Sequence, residues 1–120
     1  MRLTGLYVIT EPALRDPLEG ARLALEGGAR IIQLRDKHAT TRQLVQMGQD
    51  LRTLTCQYGA LLIINDRLDV ALAVEADGVH LGQDDMPAAL ARKVAGENFI
   101  IGVSAETVEE ARRAEADGAN

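Results

Sequence analysis

Two acidic groups, each placed just after an apolar run, are the residues of this 120-residue chain best suited to chemistry. The stretch from Leu61 to Asp85 reads as an apolar run ending in Asn65-Asp66, a short helical segment, and a second run ending in His80-Leu81-Gly82-Gln83-Asp84-Asp85. Neighbouring strands of a parallel sheet lie about 4.8 Å apart, and a right-handed crossover sets sequential strands side by side with their C-terminal ends together. Asp66 and Asp85 are therefore expected to approach each other. Two carboxylates so placed repel unless a cation or a base lies between them. Oxygen ligands without a His or Cys cluster point to magnesium, which uses one or two carboxylates together with substrate phosphates. Taken singly, Asp66 can instead cap the helix starting at Arg67, and Asp84 or Asp85 the helix containing Pro87.

A second candidate site is the charged tail of the run Ala29 to Lys37. If that run stays extended, Gln33, Arg35 and Lys37 point to one side together, offering an amide, a planar guanidinium and a point charge that match a phosphate or diphosphate. The alternative is a solvated strand terminus with Arg35 paired to Asp36. His80, between Val79 and Leu81, is expected as a hydrogen-bonded core or lumen histidine, with acid or base chemistry as the alternative. Ser104 follows a later strand at the same end of the sheet, as a helix cap or a ligand contact, and no His-Asp pattern marks it as a nucleophile. His38 reads as loop.

Composition narrows the classes. A net charge of -5 and a sequence pI near 5.0 argue against a nucleic-acid surface. With 2% aromatic residues and no Trp there is little to stack on single-stranded bases. The single Cys56 excludes an internal disulfide and suits a reducing compartment; it is expected to be structural. No apolar run approaches the roughly 20 residues that span a bilayer. A cytoplasmic protein of one domain is the expectation.

The elements that must position these residues follow in order. Leu6 to Thr10 is β-rich and bounded by Gly5 and Pro12, which predicts a first strand. Asp16-Pro17-Leu18-Glu19 is a helix start of capping-box type, and Gly27-Gly28 a helix stop. Ala29 to Lys37 is the second strand. Thr40 opens a helix whose Leu44, Met47, Leu51 and Leu54 share one face, closed by Gly59. Ala60 to Asn65 is continuously apolar, as strands buried on both faces are. A short helix over Arg67 to Glu75, a strand over Asp77 to Leu81, a helix from Pro87 to Gly96, a strand over Phe99 to Val103 and a helix from Thr107 complete the series. Five strand-then-helix units predict an α/β protein with a parallel sheet.

The junctions also repeat. Gly27-Gly28-Ala29-Arg30 resembles Glu75-Ala76-Asp77-Gly78 and Ala116-Asp117-Gly118-Ala119. Strand follows the first two, so Asn120 is expected to open a sixth strand, and residues 1–120 to be the N-terminal part of a longer single domain or a naturally short version of it. A five-strand sheet with an open edge exposes pairing groups and invites self-association. Strand order is not readable from the pattern, so an open α/β sheet remains the alternative to a barrel.

Four motifs together, IIQLRDK at 31–37, IINDRLDVAL at 63–72, ADGVHLGQDD at 76–85 and IIGVSAET at 100–107, resemble thiamine-phosphate synthase, a family of (β/α)8 TIM-barrel enzymes. The resemblance covers essentially the whole chain, in order and at natural spacing. It implies five of the eight βα units of such a barrel, with the site at the C-terminal face. It implies a transferase joining hydroxymethylpyrimidine diphosphate to thiazole phosphate, with Mg2+ on the diphosphate and pyrophosphate released. By motif, Gln33, Arg35 and Lys37 would hold the pyrimidine diphosphate with Asn65, Asp66 and Asp85 would bind magnesium, and Ser104 would contact the pyrimidine ring or the developing charge. The family continues beyond the Gly118-Ala119-Asn120 position with units that bind the thiazole phosphate. A thiazole tautomerase of the same superfamily is the alternative enzyme, but it has no leaving diphosphate to neutralise. A non-catalytic half-barrel is the alternative of another class.

Overall fold

The computed structural model describes residues 2–120. Five strands and five helices alternate: β1 (Tyr7–Ile9), α1 (Pro17–Glu26), β2 (Ile31–Leu34), α2 (Thr41–Tyr58), β3 (Leu61–Asn65), α3 (Leu68–Ala73), β4 (Gly78–Leu81), α4 (Ala88–Ala95), β5 (Ile100–Val103) and α5 (Val108–Ala116). All four strand pairings are parallel and the spatial order is the chain order, β1-β2-β3-β4-β5. Sequential order without reversal is the winding of a barrel wall. The sheet is not closed, and β1 and β5 are its edges.

Period-two alternation gives the two faces different partners. Ile32, Leu34, Leu62, Ile64, Val79, Leu81 and Ile101 are buried in one cluster with Ala21 and Leu25 of α1, Leu44, Leu51 and Leu54 of α2, Val70 and Ala71 of α3, and Ala91 of α4. Ile31, Ile63 and Ile100 pack in a separate cluster on the opposite face. That face corresponds to a barrel lumen, and it carries Gln33, Asn65 and His80 at its C-terminal end.

Local signals set the helix ends. Asp16 accepts the Glu19 amide at 3.2 Å with Pro17 in the first turn. Thr40 and Gln43 make a reciprocal capping box, and Gly59 ends α2 at φ 63°. The β2 strand stops at Leu34, three residues short of the extended run expected. The Thr10 hydroxyl takes the Arg35 amide at 3.0 Å, and Asp36 Oδ1 accepts the His38 and Ala39 amides at 3.0 and 3.1 Å, so the chain turns.

The repeated junction is real but registered differently. Gly28, Glu75 and Gly118 all have positive φ, 104°, 57° and 96°, and each precedes an alanine packed on the core. The next residue, Arg30, Asp77 or Asn120, donates its amide to the preceding strand, at Leu6, Leu62 and Ile101 respectively. Asn120 thus occupies the place of Asp77. The two also act alike through their side chains: Asp77 Oδ2 accepts from the Leu62 amide at 2.8 Å and Arg52 at 2.6 Å, and Asn120 Oδ1 accepts from the Ile101 amide and Arg92, both at 2.9 Å.

Candidate active site

The loop after β3 is made by an unusual turn. Asp66 has φ 66°, and the Arg67 amide bonds to the Asn65 carbonyl at 2.7 Å across it, a γ-turn with a positive central φ. Such turns are rare and strained, and a short polar side chain such as Asp tolerates them better than most. The Asp66 amide donates to the His80 carbonyl at 2.7 Å, tying the turn to β4. Its carboxylate meets Lys37 Nζ at 3.1 Å. No side chain caps α3, so Asp66 is not a helix cap.

Asp85 is not one either, since the N-cap of α4 is Pro87 and no side chain caps that helix. Asp85 Oδ2 accepts the Gly82 amide at 2.7 Å and closes the loop after β4. That places its carboxyl within hydrogen-bonding reach of the Asp66 carboxyl. Their environments pull them apart. Burial works against the charge of Asp66, but its bonds to Asp85 and Lys37 and the field of Arg35 hold it below the usual carboxylate range. Burial pushes Asp85 up, and the neighbouring Asp66 pushes it further, against the Gly82 amide.

Arg35 and Lys37 lie in the loop beyond β2. The Arg35 guanidinium faces Glu11, 4.0 Å away, and Asp36 is occupied with backbone amides instead. A cleft of about 470 Å³ lies between the loops after β1 and β2, bounded by Glu11, Pro12, Arg35, Lys37 and His38. Gln33 is 3% exposed, with its carboxamide donated to the Tyr7 hydroxyl at 2.9 Å. It sits deeper on the lumen face than Arg35 and Lys37, so the three do not form one row.

Beside the carboxylates lies a second group. Ser104 Oγ is 2.8 Å from His80 Nε2, and the Ser104 carbonyl accepts from Gln83 Nε2 at 2.7 Å. Burial lowers the His80 pKa, against the attraction of Asp66 and Asp85. Asn65 pairs in register with His80 and directly precedes the strained Asp66. The structure thus joins Lys37, Asp66 and Asp85 in one cluster and Ser104 with His80 and Gln83 in another. Thr10, Glu11 and Gln83 escaped the sequence reading. Each acts on a residue at least 21 positions away, and no local spacing reports such a contact.

Among the described residues no group of three or more His, Cys, Asp or Glu is placed to hold a metal, and no helix is long and apolar enough to cross a membrane. Sequentially ordered parallel strands, each followed by a helix, define the wall of a partial βα-barrel, with charged groups gathered beyond the carboxyl ends of its strands.

Comparison with known proteins identifies the family. A family model described as thiamine monophosphate synthase matches residues 6–120, and the chain belongs to that family. A thiamine-phosphate synthase from Moorella thermoacetica is 55% identical over 118 residues, covering 96% of this chain and 56% of the relative. One from Methanospirillum hungatei is 53% identical over 119 residues, covering 97% and 58%. A solved thiamine phosphate pyrophosphorylase from Pyrococcus furiosus superposes with a TM-score of 0.91 at 53% identity, over 95% of this chain and 56% of that one. The chain spans a little over half the length of these relatives.

Proposed function

We propose that this chain carries the pyrimidine-diphosphate and magnesium side of a thiamine-phosphate synthase, the transferase of thiamine biosynthesis that joins hydroxymethylpyrimidine diphosphate to thiazole phosphate and releases pyrophosphate. The observation that supports it best is the meeting of Asp66, Asp85 and Lys37 beyond adjacent strands. Two carboxyls in mutual reach, one held ionised and the other resisting ionisation, suit a divalent cation that relieves their repulsion. Two protein oxygens plus substrate phosphates is a common magnesium set. Asp66 and Asp85 would hold the magnesium, which would supply Lewis acidity to the departing diphosphate.

The side chains do the rest. Arg35 and Lys37 bind the diphosphate. Lys37 is half exposed and its ammonium turns from Asp66 toward an incoming anion at little cost. Gln33 and Asn65 complete the substrate contacts. In the reaction the bond between the pyrimidine methylene carbon and the diphosphate oxygen breaks first, its electron pair leaving on oxygen. The electron-rich aminopyrimidine stabilises the cation, beside which Ser104 lies, and the thiazole nitrogen lone pair closes the new C–N bond. Charge develops on the departing diphosphate, and Arg35 and Lys37 lower the barrier by opposing it. No residue of this chain is assigned to the thiazole phosphate. Residues 1–120 serve in it as the N-terminal part of one barrel domain in a cytoplasmic protein. The edge strand β1, with Ile9 and the preceding Leu6 more than half exposed, offers a surface for self-association.

Calorimetric titration of hydroxymethylpyrimidine diphosphate into the chain tests this. Saturable binding that needs magnesium and is lost in Asp66→Asn is expected. Binding indifferent to both magnesium and that substitution would refute the metal assignment.

A further inference from the structure

Ser104 is held in a way its own strand does not provide. It lies one residue past the end of β5, and every bond that fixes it comes from β4 and the loop that follows. Its amide donates to the Leu81 carbonyl at 3.0 Å, its carbonyl accepts from Gln83 Nε2 at 2.7 Å, and its hydroxyl oxygen is 2.8 Å from His80 Nε2. The other side of the imidazole is equally confined. A Cβ at Gly102 would come 2.6 Å from His80 Nδ1, so only glycine at that position lets the ring lie where Nε2 reaches the hydroxyl.

We propose that His80 and Gln83 are positioning residues that together fix the rotamer and backbone of Ser104, aiming its hydroxyl at the pyrimidine end of the bound diphosphate. This rests on the reading of Ser104 as a substrate contact. A hydroxyl on a free loop samples three χ1 wells and must be ordered when a ligand binds. The imidazole selects one well, and the Gln83 carboxamide stops the peptide carrying it from rotating. Neither side chain hydrogen-bonds to Arg35, Lys37, Asp66 or Asp85, the residues read as the diphosphate end, so the two ends of the substrate are expected to report on different residues.

The test uses two readouts on the whole chain. The first is 15N NMR of the imidazole in mildly alkaline buffer, where histidine is neutral. Ser104→Ala is expected to shift the His80 Nε2 resonance, and an unmoved resonance means that the clamp does not exist, whatever the substrate. The second is calorimetry in the presence of magnesium with two probes. His80→Ala and Gln83→Ala are each expected to weaken hydroxymethylpyrimidine diphosphate about tenfold, the scale of one lost hydrogen bond, and to leave inorganic pyrophosphate unchanged. His80→Gln, whose Nε2 reaches a similar position, is expected to recover most of the loss. In a Ser104→Ala background His80→Ala is expected to add nothing. Full additivity, or equal weakening of both probes, would overturn the proposal. A wild-type chain that shows the NMR coupling but binds neither probe would instead overturn the functional reading and leave the clamp standing.

Discussion

Replacing Asp66 by glycine and by alanine separates what the residue does for the fold from what it does for the site. Both substitutions remove the 3.1 Å contact with Lys37 and the repulsion from Asp85, so these effects cancel in the comparison. What differs is the backbone. At φ 66°, with the Arg67 amide bonded back to Asn65 at 2.7 Å, an L-residue with a Cβ is strained by about 1–2 kcal/mol. Glycine is free of that strain but loses about 0.5–1 kcal/mol more to the unfolded chain's freedom. The balance leaves Asp66→Gly at least as stable as Asp66→Ala, and by up to about 1.5 kcal/mol more so, the reverse of the order in an ordinary helix or strand. Urea unfolding followed by circular dichroism resolves this if both variants share one m value. Magnesium-dependent ligand binding should vanish in both. An alanine variant more stable than the glycine variant would refute the strained turn.

Asp85→Asn should stabilise the chain at neutral pH while abolishing magnesium-dependent binding. The folded Asp85 pKa is raised above its ordinary value of 3.8, so its favourable contribution exists below that value and is lost as pH rises through the folded pKa; the asparagine variant should therefore have the higher thermal midpoint at pH 7, by about 2–4 °C, with the gap closing in acid. Asp66, whose pKa is lowered, contributes in the opposite sense, stabilising above 3.8 and failing as pH falls through its folded value. Gly78→Ala should cost about 3 kcal/mol or prevent folding, because a Cβ there runs into the Ile100 carbonyl and lies 2.6 Å from Ile100 Cβ; chemical denaturation measures it. Arg52→Ala should destabilise by about 1–3 kcal/mol, since Arg52 Nη1 meets the half-buried Asp77 at 2.6 Å where Asp77 also holds the Leu62 amide. A double-mutant cycle with Asp77→Ala should recover a coupling of similar size.

Much of this fold was legible in the chain because its signals are local. Asp16-Pro17, the Thr40/Gln43 box and Gly59 each act within one helical turn, and they mark the ends of α1 and α2 where the structure has them. The continuous apolar run before Asn65 announced a strand covered on both faces, and Ile63 and Ile64 are buried on opposite sides of β3. What was not legible depends on groups far along the chain. The end of β2 at Leu34 is decided by the Thr10 hydroxyl, 25 residues away from Arg35, so an extended run to Lys37 was the natural local reading. The junction repeat was visible as letters, yet its register follows positive φ and the amide pairing of Asp77 and Asn120, which the Asp-Gly spelling misplaces. Asp66 and Asp85 fit a cap as well as a site by spacing alone. Three-dimensional closure removes the cap reading, because the γ-turn sends one carboxyl to Lys37 and the Gly82 amide holds the other in the loop after β4.

If Asp66 and Asp85 together hold a divalent cation against a diphosphate, the ion must sit beyond β3 and β4. Manganese, a paramagnetic stand-in for magnesium, tests it directly when titrated with inorganic pyrophosphate into the 15N-labelled chain. The amides of Asp66, Gly82 and Asp85 are expected to broaden first, and Asp66→Asn to abolish the effect. Broadening centred elsewhere, for instance on the acidic turn at Glu109 and Glu110, or undiminished in that variant, would contradict it.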